Sequence, residues 1–205
     1  GVIKEGYKIP FHSTPVSSRK PNNASALKFK DFVTKEILEL VEKGCVVECN
    51  TPPEVVNPLS VAQNREGKLR LILDLRLVNL HVYKKHVKYE GLDVLKHLAP
   101  RQGFLVKFDC KSGYHHIDVF EEHQTYLGFS WLINKKVMYF KFTVLPFGLS
   151  SACHIFTKFL RPLVEKWRAE GINVILYLDD GIVANKSLEA LKLEAASVKN
   201  DLPLA

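Results

Sequence analysis

The sequence predicts an α+β fold in which an antiparallel sheet is covered by helices. Its central part, residues 104–142, consists of short apolar or alternating runs separated by turn residues, a pattern typical of strands. Residues 26–43 and 150–170 instead carry apolar side chains at the helical period. With 205 residues, 46% hydrophobic and 25% charged, the chain has a globular composition and suffices for one large domain or two small ones.

The N-terminal half begins with a polar, proline-rich and basic segment, residues 1–25, which we interpret as an extended basic arm. The helix over 26–43 is expected to stop at Gly44, because glycine is the residue that most often closes a helix. Further short elements are expected in this half: a strand over 45–49, a hairpin of 59–63 and 69–75 joined by 64–68, and a helix over 91–98.

Strands dominate the centre of the chain, and helices the C-terminal part. Four strands and one turn are predicted in the centre: strands over 105–110, 115–120, 126–131 and 137–142, with the turn at 133–135. The helix over 150–170 has Ser150 or Ser151 as its N-cap and Gly171 as its end. Ser187 is expected to cap a last helix that runs to about residue 200.

Two adjacent carboxylates, Asp179 and Asp180, follow the apolar run 172–178 and precede Gly181 and a second apolar run. The pattern predicts a β-hairpin with an acidic turn that ends in glycine. A solvated Asp-Gly turn explains this pattern without any function. Two like charges crowded by hydrophobic strands nevertheless repel each other and lose solvation, a cost that a bound divalent cation would remove. A plain turn and a metal site therefore both remain open at this point.

Asp109 is a third carboxylate that ends an apolar strand, residues 104–108. If this strand and the 172–178 strand neighbour each other in one sheet, the three carboxylates converge at one edge. Such a cluster suits hard cations with oxygen ligands, Mg²⁺ above all. Two such ions roughly 3.5–4 Å apart would support in-line phosphoryl transfer.

The charge balance and the cysteines narrow the class of protein. A net charge of +7 favours an acidic partner, of which nucleic acid is the common case. The four cysteines are sparse, and the pair at 45 and 49 has no second pair that would complete a zinc site. We therefore expect reduced thiols and an intracellular protein, cytoplasmic or nuclear. No apolar stretch approaches the roughly 18 residues that span a bilayer, so no membrane partner is expected.

Four segments between residues 70 and 184 resemble, in the same order, motifs of retroelement reverse transcriptases. The fingers segment and the three catalytic segments read as follows: Arg70-Leu71-Ile72-Leu73-Asp74-Leu75-Arg76-Leu77-Val78-Asn79, Asp109-Cys110-Lys111-Ser112-Gly113-Tyr114-His115-His116-Ile117, Leu145-Pro146-Phe147-Gly148-Leu149-Ser150-Ser151-Ala152 and Tyr177-Leu178-Asp179-Asp180. Phe147 resembles the form found in LTR retrotransposons, and residues 156–172 resemble DIRS-type elements.

The resemblance implies a metal centre for the acidic residues. Asp109, Asp179 and Asp180 match the catalytic, metal-binding carboxylates, with Asp109 and Asp179 as the expected direct ligands. The backbone carbonyl of Cys110 matches a further ligand. Together they are expected to hold two Mg²⁺ ions, with Mn²⁺ as an alternative.

The resemblance also implies a nucleotide pocket. Tyr114 matches the steric gate that excludes a ribonucleotide's 2′-hydroxyl, and Phe147 and Gly148 match residues near the template base. Arg70 matches the arginine that pairs with the incoming triphosphate, and Lys68 is a candidate assistant. Without the resemblance, Tyr114 reads as an ordinary core aromatic and Arg70 as an exposed strand arginine.

The implied organisation is a polymerase palm joined to a mixed α/β fingers subdomain. We assign residues 1–25 to the arm, 26–102 to the fingers and 103–205 to the palm, with fingers elements interleaving around 120–145. No thumb is expected within this sequence. A thumb and an RNase H domain are expected downstream, so we expect the chain to be a fragment of a longer polyprotein.

The implied function is that of a retrotransposon RNA-directed DNA polymerase, a nucleotidyltransferase that adds dNTPs to a primer 3′-hydroxyl on an RNA or DNA template. The alternative is a non-catalytic or domesticated nucleic-acid-binding remnant. A template-independent nucleotidyl transferase with a two-metal palm is a third reading, which template dependence would separate from the first.

Overall fold

The computed structural model describes residues 5–83, 90, 94, 96–97, 100, 102–110, 113–177 and 180–202. The strands in this part of the chain are β1 (Ser18–Arg19), β2 (Val46–Cys49), β3 (Val55–Asn57), β4 (Leu59–Gln63), β5 (Leu69–Leu73), β6 (Phe104–Asp109), β7 (Gly128–Ile133), β8 (Lys136–Phe142), β9 (Asn173–Tyr177) and β10 (Asp180–Asn185). The α-helices are α1 (Ala24–Lys28), α2 (Lys30–Glu42), α3 (Arg76–Asn79), α4 (Glu121–Gln124), α5 (Ala152–Ala169) and α6 (Leu188–Asp201), and a 3₁₀-helix spans Gly113–His116.

The chain divides into two compact units, each of which takes two separate stretches of sequence. The first unit comprises Gly1–Lys84 and Tyr114–Ala152, and the second comprises Lys85–Gly113 and Cys153–Ala205. The assignment of residues 1–25, 26–102 and 103–205 to arm, fingers and palm is a functional division, and it stays a prediction.

The first unit is built on a five-stranded mixed sheet with the order β1-β3-β7-β8-β2, and β4 and β5 form a separate hairpin. Helix α2 covers the sheet with Val33 and Ile37, which lie four residues apart on one helix face and are fully buried. The indole N–H of Trp131 on β7 donates to Thr34 Oγ1 on α2 over 2.8 Å. Aromatic packing between the strands includes Phe129 stacked on Phe140 at 5.3 Å.

The second unit is an antiparallel sheet with the order β6-β10-β9, flanked by α5 and α6. Helix α5 buries Phe156, Leu160 and Trp167 at the spacing of one helix face. Arg168 at its end donates to the carbonyl oxygen of Val174 on β9 over 2.9 Å. The predicted α+β class is therefore confirmed, with an antiparallel sheet and its helices in this unit.

Most predicted elements are present within a residue or two of their expected bounds. The hairpin pairs β4 with β5 from Leu59↔Leu73 to Gln63↔Leu69, and Ser187 caps α6 by accepting from the Ala190 N–H at 3.3 Å. Gly44 and Gly171 follow α2 and α5 with φ of +71° and +84°, the left-handed backbone that favours glycine. The helix expected over 91–98 falls mostly outside the described residues.

Three expectations are wrong. The single helix predicted over 26–43 is divided at Phe29 into α1 and α2, because Phe29 has a non-helical backbone with φ of −107° and ψ of 41°. The strand predicted over 115–120 is replaced by the 3₁₀-helix, closed where the Ile117 N–H donates to the Tyr114 carbonyl at 3.1 Å, and only isolated bridges follow at Asp118 and Val119. Gly181 was expected to end the acidic turn. It lies inside β10 instead, because Asp180 already pairs with Tyr177 and Gly181 with Leu176.

Among the described residues, none of the helices combines the length and apolar character needed to cross a membrane.

Candidate active site

The register between β6 and β10 places two of the predicted catalytic carboxylates directly opposite each other. Asp109, the last residue of β6, pairs with Asp180, the first residue of β10. Directly opposed residues of an antiparallel pair point to the same face, with Cβ atoms about 4.5–5.5 Å apart. We call Asp109 and Asp180 the acid pair. Both residues are exposed, and like charges in this arrangement repel each other.

The opposite face of the same strands shows why the two strands lie in this register. The ring of Phe108 on β6 lies over Gly181 on β10, where a Cβ atom would overlap it. The ring also packs edge-on against Trp167 of α5, with ring centroids 6.4 Å apart. Because side chains alternate along a strand, this packing directs the acid pair to the face away from the Phe108–Trp167 contact.

Lys107 lies beside the acid pair and was not identified from the sequence. Its Nζ forms an ion pair with Asp180 Oδ1 over 2.9 Å. A sequence signal existed, since Lys107 precedes Asp109 by two residues on a strand and therefore shares its face. Recognising the contact with Asp180 required the register of β10.

Of the other two proposed metal ligands, Cys110 and Asp179, the structure describes only Cys110. The Cys110 carbonyl accepts a hydrogen bond from the Gly113 N–H at 3.1 Å. Asp179 lies outside the described residues. Within the described part of the chain, no group of three or more His, Cys, Asp or Glu side chains is arranged to hold a metal. The acid pair offers oxygen donors alone, a donor set that fits Mg²⁺ or Mn²⁺.

The residues expected to form the nucleotide pocket lie in the first unit. Tyr114 is buried, as the core interpretation also expects, and its ring meets the ring of Phe147 edge-on at 4.8 Å. Phe147 is 46% exposed, and its ring centroid also lies 5.6 Å from that of the His115 ring. An accessible phenylalanine thus lies directly on the predicted gate residue.

The loop that carries Phe147 and Gly148 is held by Asn79, whose role was not identified from the sequence. The Asn79 side-chain amide donates to the Gly148 carbonyl over 2.8 Å, and its Oδ1 accepts from the Ser150 N–H over 2.8 Å. Gly148 itself has a φ of +99°, and a Cβ there would lie 3.1 Å from the Leu73 carbonyl oxygen. Asn79 closes the fingers segment that resembles the family, which was the available sequence signal.

Arg70 and Lys68 both lie on the β4–β5 hairpin and are exposed. Arg70 pairs with Ala62 across the hairpin, and the Lys68 N–H donates to Asn64 Oδ1 over 2.8 Å. Farther along, the exposed guanidinium of Arg76 hydrogen-bonds Asp74 and lowers the pKa of that carboxyl below its usual value. The hairpin therefore presents unburied cationic groups.

The comparisons with known proteins agree with these motifs. The family described as "Reverse transcriptase (RNA-dependent DNA polymerase)" matches residues 61–202. The chain is 30% identical to the "Putative enzymatic polyprotein" of Cassava vein mosaic virus over 82% of its own length and 26% of that protein. It is 26% identical to the "Transposon Tf2-3 polyprotein" of Schizosaccharomyces pombe, over 91% of its own length and 13% of the relative.

A further relative is the "Retrovirus-related Pol polyprotein from transposon gypsy" of Drosophila melanogaster, 26% identical over 77% of this chain and 15% of that protein. The chain thus spans only 13% to 26% of the length of these relatives. Because the family match covers well over half of the chain and includes all four motif segments, the chain belongs to the reverse transcriptase family.

Proposed function

We propose that this chain provides the fingers and palm of a retrotransposon RNA-directed DNA polymerase. It would transfer nucleotides from dNTPs to a primer 3′-hydroxyl on an RNA or DNA template. The observation that supports this most is the pairing of Asp109 with Asp180 at the ends of β6 and β10, on one exposed face, in a chain of this family.

The acid pair, with Asp179 and the Cys110 carbonyl, would hold two Mg²⁺ or Mn²⁺ ions. When bound, such ions activate the attacking hydroxyl and neutralise charge on the pyrophosphate leaving group. The protein's own contribution is to hold the carboxylates at strand ends, where the sheet limits their movement. The repulsion between Asp109 and Asp180 favours cation binding, because a divalent cation removes it.

The nucleotide would be positioned by residues of the first unit. Arg70 is proposed to pair with the triphosphate through its guanidinium group, with Lys68 assisting, since both cations are exposed on the β4–β5 hairpin. Tyr114 is proposed to exclude a 2′-hydroxyl. The edge-on contact with Phe147 supports this role, because it limits how far the tyrosine ring can turn away.

The nucleic acid would be bound mainly through its phosphates. A net charge of +7 favours contacts that tolerate any sequence and weaken with salt. Because the relatives are several times longer than this chain, we propose that a thumb and an RNase H domain act with it in a longer polyprotein.

The test is primer extension on a poly-rA template with an oligo-dT primer, dTTP and Mg²⁺. The wild type is compared with Asp109→Asn and with Glu189→Gln, an exposed acid in the first turn of α6 that serves as the matched control. Loss of a metal ligand should reduce extension by at least about 100-fold, since metal stabilisation of the transition state is worth several kcal/mol. The control should extend primers like the wild type.

Stability separates a chemical effect from unfolding. Asp109→Asn removes one of two opposed like charges, so the variant should unfold at a temperature equal to or above that of the wild type. A folded Asp109→Asn protein that still extends primers at the wild-type rate would refute the metal assignment. Template binding without extension by the wild type would support the nucleic-acid-binding remnant, and extension without template would support the template-independent transferase.

A further inference from the structure

We propose that Lys107 is the built-in counter-ion of the acid pair and limits its affinity for divalent cations. In this view a metal that binds the acid pair must first displace the Lys107 ammonium group from Asp180. The inference rests on the proposed function, because it assumes that the acid pair is a metal site.

The strand register supplies the geometry. Lys107 lies opposite Ile182, two pairs along the strands from the pair formed by Asp109 and Asp180. Residues two apart on a strand share a face, so Lys107 and both carboxylates point to the same side of the sheet. A diagonal cross-strand neighbour is within reach of a long side chain. The observed distance of 2.9 Å between Lys107 Nζ and Asp180 Oδ1 shows that the contact is made.

The charges explain why this contact matters. The two carboxylates of the acid pair carry two negative charges, and Lys107 reduces their net charge to one. A divalent cation interacts with both carboxylates at once and carries twice the charge of the ammonium group, which lies 2.9 Å from Asp180 Oδ1. The lysine therefore stabilises the metal-free pair and would compete with a metal for the Asp180 carboxylate.

Exposure makes the competition reversible. The side chains of Lys107 and Asp180 are 66% and 51% exposed. Exposed ion pairs are weak, so a millimolar divalent cation can replace the lysine, and a solvated stem lets the ammonium group swing aside. Even when displaced, Lys107 keeps a positive charge near the cation and lowers its affinity.

The experiment measures Mn²⁺ binding by the decrease of the free-ion signal in electron paramagnetic resonance, without substrate or turnover. The variants are Lys107→Met, which keeps an unbranched apolar stem without charge, and Lys107→Arg, which keeps the charge. Lys186→Met is the matched control, since Lys186 is an exposed lysine just past the far end of β10, roughly 20 Å along the strand from Asp180.

Lys107→Met should bind Mn²⁺ about three- to tenfold more tightly than the wild type at low salt, and the advantage should shrink as salt is added. Lys107→Arg and Lys186→Met should stay within about twofold of the wild type. Without metal, Lys107→Met should melt at a lower temperature than the wild type. Saturating Mn²⁺ should reduce this difference, because the ion stabilises Lys107→Met more than the wild type, which binds it less tightly.

The outcomes separate the inference from the proposed function. If the wild type binds Mn²⁺ and loses it in Asp109→Asn, but Lys107→Met binds with unchanged or weaker affinity, the role of Lys107 is refuted and the metal site stands. If neither the wild type nor Lys107→Met binds Mn²⁺ at the acid pair, the metal site and the role of Lys107 are both refuted.

Discussion

Replacing Gly181 by alanine should destabilise the second unit, because the new methyl group would occupy space that the Phe108 ring already fills. The ring has little freedom to withdraw, since it packs edge-on against Trp167, which is almost fully buried. Either the ring or strand β10 must move. Movement of β10 against β6 would also disturb the register that opposes Asp109 and Asp180.

The expected size of this effect follows from two opposing contributions. Forcing an extra methyl into a packed contact typically costs about 1–3 kcal/mol. Alanine in a strand regains about 0.5–1 kcal/mol relative to glycine, because the unfolded chain has less freedom to lose. The net loss in the free energy of unfolding should be about 1–2 kcal/mol, which corresponds to a decrease in Tm of roughly 2–8 °C for a chain of this size.

Urea unfolding of four proteins tests this reasoning: the wild type, Gly181→Ala, Phe108→Ala and the double variant. Phe108→Ala removes the ring that the new methyl would strike, so the double variant should be more stable than the sum of the single effects by about 1 kcal/mol or more. Additive effects within about 0.5 kcal/mol, or a neutral Gly181→Ala, would show that ring packing over Gly181 does not hold β6 and β10 in register.

Three further predictions concern the first unit. Asn79→Ala removes two hydrogen bonds to the 148–150 loop and should raise the KM for dNTP more than it lowers kcat, with Asn79→Asp intermediate; equal KM values would contradict this. Burial lowers the pKa of His123 below the ordinary 6.5. At a pH between the lowered value and 6.5 the unfolded state therefore binds more protons than the folded state, so acidification from pH 7 should lower the free energy of unfolding. His123→Gln should flatten this dependence in urea titrations without abolishing it, because burial also lowers the pKa of His115; an unchanged slope would be the contrary result. Tyr114→Val should reduce discrimination against ribonucleotides at least tenfold in competition assays, and unchanged discrimination would remove the gate role.

Elements defined by neighbouring residues could be predicted from the sequence. The β4–β5 hairpin follows from the polar residues 64–68 between two apolar runs, and the start of α6 follows from the Ser187 cap. These signals lie within a few residues of the structure they determine. The juxtaposition of Asp109 and Asp180 was predictable only in outline, because the 104–108 strand was expected beside the 172–178 strand, whereas β10 lies between β6 and β9.

Features that depend on distant partners were not predictable. The Asp-Gly pair at 180–181 has the local signature of a turn. In the structure Gly181 instead lies in a strand opposite Phe108, some 70 residues away in sequence, and the Phe108 ring lies where a side chain at 181 would be. The Asn79 contacts likewise join segments about 70 residues apart. The ion pair of Lys107 with Asp180 depends on the same long-range register.

The alternation around residues 115–120 misled for a different reason. Buried Ile117 and Val119 are two residues apart, as on one face of a strand, whereas buried Tyr114 and Ile117 are three apart, the period of a 3₁₀-helix, and the Ile117 N–H donates to the Tyr114 carbonyl. A segment of this length has too few positions for periodicity to separate the two conformations.

The most direct test of the central claim is anomalous scattering from Mn²⁺ in crystals of this chain with primer–template and a non-reactive dTTP analogue. The account predicts a Mn²⁺ peak about 2.1 Å from a carboxylate oxygen of Asp109, shared with Asp179 or Asp180. Crystals that hold Mn²⁺ at the nucleotide phosphates while Asp109 contacts no ion would contradict the assignment of the acid pair as the metal centre.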